Sequence, residues 1–154
     1  MKKIHEIIKE HPFFKGFTDN ELLFISGCGQ NKVFKANEII AQENTPANEF
    51  YLLREGKVAV CANIPHHQDK IIQTISEGEI LGWSWLFPPY QWTFELRALE
   101  TTHAVALNGK CLRDKLDEMP ELGYKLMKRF SQLMVARLNA TRLQLLDIYQ
   151  KKGS

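Results

Sequence analysis

The chain's three tryptophans, Trp83, Trp85 and Trp92, fall within one stretch of ten residues. An indole can stack on a purine, hold a flat apolar ligand, or close a pocket by filling it. Other side chains with chemical potential are scattered. His66 and His67 are adjacent in an apparent hairpin tip, but no further ligand stands at a standard metal spacing, so no metal site is expected. Glu77, Glu79 and Glu95 are not spaced against a base or a nucleophile. No G-x-S-x-G, P-loop, H-E-x-x-H or Cys/His arrangement occurs. Of the five histidines only His103 falls in an expected strand, too few for the facing-strand metal set of a barrel enzyme. The residues point to binding rather than catalysis.

The elements that must position the tryptophans can be read from texture. Ile4, Ile7 and Ile8 sit at helical spacing before Pro12. Thr18 and Glu21 form a capping-box pattern that opens a helix from Asp19 to Cys28. From residue 31 to 108, short runs rich in Val, Ile, Phe and Tyr alternate with turn residues. The expected strands are Asn31–Phe34, Glu38–Ala41, Glu49–Glu55, Lys57–Asn63, Lys70–Ile75, Ile80–Leu81, Phe94–Ala98 and Thr102–Asn108. Many short strands at this pitch predict a jelly-roll barrel. In the seventh strand Trp92, Phe94, Leu96 and Ala98 share one face by alternation.

A second change comes at Asn108. Leu112, Leu116 and Met119 belong to a helix that stops before Pro120. A long periodic segment then runs from Glu121 to about Lys151. Met127, Phe130, Met134, Leu138, Thr141, Leu145 and Ile148 step by 3, 4, 4, 3, 4 and 3, close to heptad spacing. A helix of that length spans ~45 Å, more than one small barrel can cover, so its far half is expected to pair with a second copy of the chain.

Composition narrows the class. The 154 residues are 44% hydrophobic and 25% charged, with a net charge of +2, ordinary for a globular protein and too low to draw nucleic acid or a membrane by long-range attraction. Met1 to Glu10 is not a signal peptide, and no run approaches the ~20 apolar residues of a membrane span. Cys28, Cys61 and Cys111 are odd in number and widely spaced, and are expected as three thiols in a reducing cytoplasm.

The order of elements resembles the cyclic-nucleotide-binding domain of Crp/Fnr regulators and of the cAMP-dependent protein kinase regulatory subunit. His11-Pro12-Phe13-Phe14-Lys15-Gly16-Phe17-Thr18 is similar to that family's opening phrase. Phe34 to Ile40 resembles its turn into the second strand, with Asn37 at a usual glycine. Gln42 to Val58 is the nearest match, with Asn44 at another. Asn is the commonest non-Gly residue to tolerate a left-handed conformation. The resemblance implies a mainly β fold with flanking α: a double-stranded β-helix (jelly-roll) barrel at 31–108, a helical segment at 1–30, and C-terminal helices at 109–151.

The family holds its ligand in a cassette, a short helix after a Gly-Glu pair followed by an Arg. Helix N–H groups and the Arg meet the cyclic phosphate, and the Glu meets the ribose. The matching segment is 78–98, with Gly82 on the family glycine and Ala98 on its strand alanine without a gap. Trp83 then stands at the Glu position and Trp92 at the Arg position, while Thr93 keeps a hydroxyl where the cAMP receptor protein has a phosphate-contacting Ser. Losing both polar contacts would weaken ordinary cAMP or cGMP binding by ~3–5 kcal/mol. Either the indoles fill the old pocket or they line one shaped for another ligand.

The resemblance thus assigns Gly82, Trp83, Ser84, Trp85, Trp92 and Thr93 to the cassette. It assigns Asn139, Thr141 and Arg142 to a ligand-covering stretch of the long helix. It implies a non-enzymatic ligand-sensing or regulatory module with no fixed cofactor and no metal. A cyclic nucleotide or another small anionic or aromatic ligand is the candidate effector. The module is expected to form a homodimer through the C-terminal helix and to signal to a protein partner. Crp-type regulators continue into a helix-turn-helix domain at this point and this chain ends there, so direct DNA binding is not expected. Arg97, by alternation, faces away from Trp92 and is expected to pair with Glu95 or Glu100.

Overall fold

The structure, a computed structural model, describes residues 3–62 and 70–152. The His66-His67 pair and Asn63 lie outside the described residues. The chain divides into two compact units, Met1–Glu118 and Met119–Ser154.

In the first unit, α1 (Ile4–Glu10) and α2 (Asp19–Ser26) flank a 3-10 turn at Pro12–Phe14. The described strands are β1 (Gly29–Phe34), β2 (Ile39–Ala41), β3 (Glu49–Glu55), β4 (Lys57–Ala62), β5 (Lys70–Ser76), β6 (Ile80–Leu81), β7 (Glu95–Ala98) and β8 (Thr102–Asn108). They form two antiparallel four-stranded sheets, ordered β1-β8-β3-β6 and β2-β7-β4-β5. Successive strands mostly switch sheets, which is the jelly-roll pattern expected. Helix α3 (Gly109–Glu118) ends the unit.

Local chemistry sets the boundaries. Thr18 Oγ1 accepts from the Glu21 amide at 3.2 Å, and Glu21 Oε1 accepts from the Thr18 amide at 2.8 Å, so the capping box forms at the head of α2. Asn37 and Asn44 both take left-handed backbone, with φ of 71° and 68°. Each holds a conformation for which glycine is the usual residue and asparagine the commonest alternative.

Strand β3 is buried from Phe50 through Leu53. Tyr51 and Leu53 join Val58, Leu81, Trp92 and Leu96 in the principal core cluster. Phe50 and Leu52 point the other way and are equally buried, with Trp85 stacked on Phe50 at 4.8 Å and 12°. One strand therefore supports two apolar layers.

Two expectations need correction. Cys28 and Cys111 are not separate thiols but form a disulfide, with Cα atoms 5.7 Å apart. The chain brings α3 back beside the α2–β1 corner, and a sequence separation of 83 residues carries no local signature of that return. Cys61 keeps its thiol and is buried. Phe94 does not share the buried face of Trp92, Leu96 and Ala98, since it is 40% exposed. Strand β7 begins only at Glu95, and a bend at Thr93–Phe94 breaks the alternation.

The second unit is α4 (Pro120–Lys152), 33 residues or ~50 Å long. Proline is tolerated at its first position because that N–H has no intrahelical partner. Leu138, Leu145 and Ile148 of the heptad seam are about half exposed, as are Val135, Leu143 and Leu146 off it. Among the described residues, no helix is long and apolar enough to cross a membrane.

His11 ties the 3-10 turn to β3. Its Nδ1 accepts from the Phe13 amide at 3.2 Å, which fixes the neutral tautomer in which Nε2–H donates to the Leu53 carbonyl, also at 3.2 Å. Burial pushes its pKa below the ordinary value of 6.5, against smaller opposing contributions from the Leu53 and Glu79 backbone. The folded state therefore binds fewer protons than the unfolded one in mildly acid solution. The His11 contribution to stability should be complete above pH ~6.5 and disappear as pH falls through the lower folded value. Melting curves from pH 7.5 to 5 should show this loss, and His11→Gln should flatten it. Parallel profiles for both proteins would rule out the assignment.

Candidate functional site

Gly82 follows β6 with φ of +91°, a left-handed conformation in which side chains are strained. A Cβ built there would lie 2.6 Å from both Cη2 and Cζ3 of Trp92. The indole thus rests directly on the glycine backbone. Trp92 is only 7% exposed and lies near-parallel to Tyr51, with centroids 6.4 Å apart at 9°. Its backbone is fixed from the other side. The Trp92 amide donates to Thr45 O at 2.9 Å, and its carbonyl accepts from the Asn44 amide at 2.8 Å. The Ala47 amide adds a bond to Tyr90 O at 2.7 Å. The 44–47 loop and the 90–92 segment form a short ladder, with the left-handed Asn44 at its turn.

The remaining cassette residues separate. Trp83 and Ser84 are half-buried, Trp85 is fully buried on Phe50, and Thr93 is exposed. Ser84–Leu86 is a single 3-10 turn. The Leu86 amide bonds to Trp83 O and closes that single turn. Phe87-Pro88-Pro89 explains the short turn. A residue before proline is driven toward extended backbone, and Phe87 has φ of −126° and ψ of 137°. Gly82 and Trp92 are therefore brought together, while Trp85 and Thr93 are directed elsewhere. Arg97 pairs with Glu95 at 2.9 Å, as expected. Asn139, Thr141 and Arg142 are exposed on α4, and the Thr141 hydroxyl donates to Arg137 O of its own helix at 3.0 Å.

Beside Trp92 lies a cleft of about 330 Å³. Its walls come from β2, the loop after it, the head of β3, and Trp92 itself. Polar lining is supplied by Gln42, Thr45, Asn48 and Glu49, and aromatic lining by Tyr51 and Trp92. Lys32 Nζ meets Glu49 Oε1 at 3.0 Å. Burial, and then the Glu49 carboxylate, push the Tyr51 phenol well above its ordinary pKa, so its hydroxyl stays a donor. Of these lining residues sequence reasoning placed only Trp92 in a site, although Tyr51 lies inside the best-matching phrase and on the same strand face as Leu53. Nor did it find Arg113 of α3, which donates from Nη1 to the Trp85 carbonyl and covers the Tyr90 ring at 4.2 Å.

Residues 31–119 match the family model described as the cyclic nucleotide-binding domain. Among solved structures, a provisionally assigned cyclic nucleotide-binding protein from Geobacter metallireducens is 30% identical, with a TM-score of 0.79 over 90% of this chain and 99% of that one. A cyclic nucleotide-binding domain from Methylobacillus flagellatus is 24% identical, with a TM-score of 0.78 over 94% and 81%. The regulatory subunit of a cAMP-independent protein kinase A from Trypanosoma brucei is 18% identical, with a TM-score of 0.68 over 82% and 45%. No curated protein matches the chain.

Trp92→Ala would empty the space over Gly82, and removal of a buried tryptophan costs about 3–5 kcal/mol. Scanning calorimetry should show a fall of about 10 °C for a chain of this size. Gly82→Ala should also destabilise, because the added methyl meets both a positive φ and the indole. A Trp92→Ala protein that melts with the wild type would show that the indole is not packed.

Proposed function

This chain belongs to the cyclic nucleotide-binding domain family, and from that premise we propose that it is a non-enzymatic ligand-sensing regulatory module whose ligand is not a cyclic nucleotide seated in the cassette. The carrying observation is the Trp92 ring laid on Gly82. In the family a cation at that position meets a phosphate. Here an apolar ring occupies it, integrated into the core with Tyr51 and Leu96. Trp83, half-buried, offers no carboxylate for a ribose. The short 3-10 turn supplies little of the dipole that a longer helix would aim at an anion. A small aromatic ligand in the adjacent cleft is the effector that remains.

A homodimer through α4 is part of the proposal. Exposed Leu138, Leu145 and Ile148 at heptad steps are the positions a two-stranded seam would bury. The signal would pass to a protein partner or through the geometry of that dimer. A cytoplasmic location also belongs to the reading; there the Cys28–Cys111 bond would be under reducing pressure. The second reading, a scaffold with a tryptophan-filled pocket used for protein association, draws on the same packed Trp85 and Trp92. It differs in expecting no small molecule to alter the protein.

Isothermal titration with cAMP and cGMP at millimolar concentration should give no binding heat. Saturable binding of either at micromolar concentration would overturn the cassette reading. Light scattering at micromolar protein should give about twice the 17.8 kDa chain mass, and a strict monomer would remove the role given to α4.

A further inference from the structure

The cleft beside Trp92 has a charge character opposite to that of a phosphate site. Among its described lining residues none is Lys, Arg or His, and the one carboxylate is Glu49. The cation near that acid, Lys32, already bonds to it. A phosphate entering here would face Glu49 with no lining cation to balance it, and a buried unpaired charge is strongly disfavoured. A planar cation would have to displace Lys32 from Glu49. An uncharged ring meets neither obstacle. It finds two aromatic side chains, Tyr51 and Trp92, and carbonyl-type acceptors on Gln42, Asn48 and Glu49 for its N–H groups. The volume of about 330 Å³ lies at the bottom of the ~300–1,000 Å³ range for ligand pockets. That is room for one ring system, not for a dinucleotide.

We infer that this cleft binds an uncharged, nucleobase-sized planar heteroaromatic that carries N–H donors, and that it discriminates against anions. The inference rests on the ligand-sensing reading above and adds the class of ligand. The site lies in the first unit alone, since every lining residue falls between Ile39 and Trp92. Glu49 sets the sign of the selectivity. Gln42, exposed at the rim, is a position where the cleft can be blocked without entering the core.

The test is titration of the whole chain with three probes: adenine as the neutral ring, cAMP as the same base carrying an anion, and 1-methylnicotinamide as a planar cation. Calorimetry and thermal shift should show adenine binding at least about tenfold more tightly than either of the others. Gln42→Trp, placed to fill the cleft mouth, should abolish the adenine response while leaving the melting midpoint near wild type. An adenine response that survives Gln42→Trp in a folded protein would place binding elsewhere and overturn the inference. Preference for 1-methylnicotinamide would overturn the ligand class but leave a non-nucleotide sensor standing. Preference for cAMP would overturn both this inference and the cassette reading. Silence with all three probes would overturn the inference alone, because the cassette reading itself expects cAMP to be silent.

Discussion

The contact between the Trp92 indole and the backbone of Gly82 is the constraint on which the cassette region depends. It requires a residue without a Cβ, and one able to hold φ at +91°. It also requires Trp92 to be held at the right height. The Asn44 and Thr45 backbone does this from one side and the Tyr51 ring from the other. The β2–β3 loop, the cassette and the centre of β3 are consequently one packed assembly. The cleft exists because that assembly leaves space between β2 and Trp92 instead of over Gly82.

Strand β3 carries the arrangement because it is apolar on both faces. Its inward residues Tyr51 and Leu53 belong to the principal core, and its outward Phe50 supports Trp85. The tryptophans that look like one cluster in the sequence are thus divided between two layers. Arg113 links the outer layer to α3 by bonding the Trp85 carbonyl and covering Tyr90. Gly109, at the head of the same helix, approaches so closely that an added Cβ would stand 2.9 Å from Trp85 Cβ. In its first turn α3 is also anchored by the Cys28–Cys111 bond, and further along by Lys115, which donates to Phe24 O at 2.6 Å. The helix is fastened to both the cassette and the N-terminal corner.

What could be read beforehand was what local chemistry determines. The Thr18–Glu21 box, the left-handed Asn37 and Asn44, the strands Glu49–Glu55 and Thr102–Asn108, and the helix break before Pro120 all follow from neighbours within four residues. Gly82 and Trp92 were legible as two cassette positions through the family resemblance, though not the contact between them. Features set by distant partners were not legible. Phe94 leaves the Trp92 face because the chain bends after the Thr45–Trp92 bonds, a connection across 47 residues. The disulfide depends on a return across 83 residues. The cleft draws its lining from β2, the loop after it, the head of β3 and the distant Trp92. The one-turn cassette helix did have a local sign, in the Phe87-Pro88-Pro89 run.

The Trp92–Gly82 contact also bears on how the site tolerates substitution. Arginine at 92 alone would leave the space above Gly82 poorly filled, deprive Tyr51 of its parallel neighbour, and put a cation beside apolar core side chains. Placing a cation there would need the ring removed and the void repacked together. The tryptophan acts as a keystone: no single change at 82 or at 92 leaves the loop, the cassette and the centre of β3 packed as one.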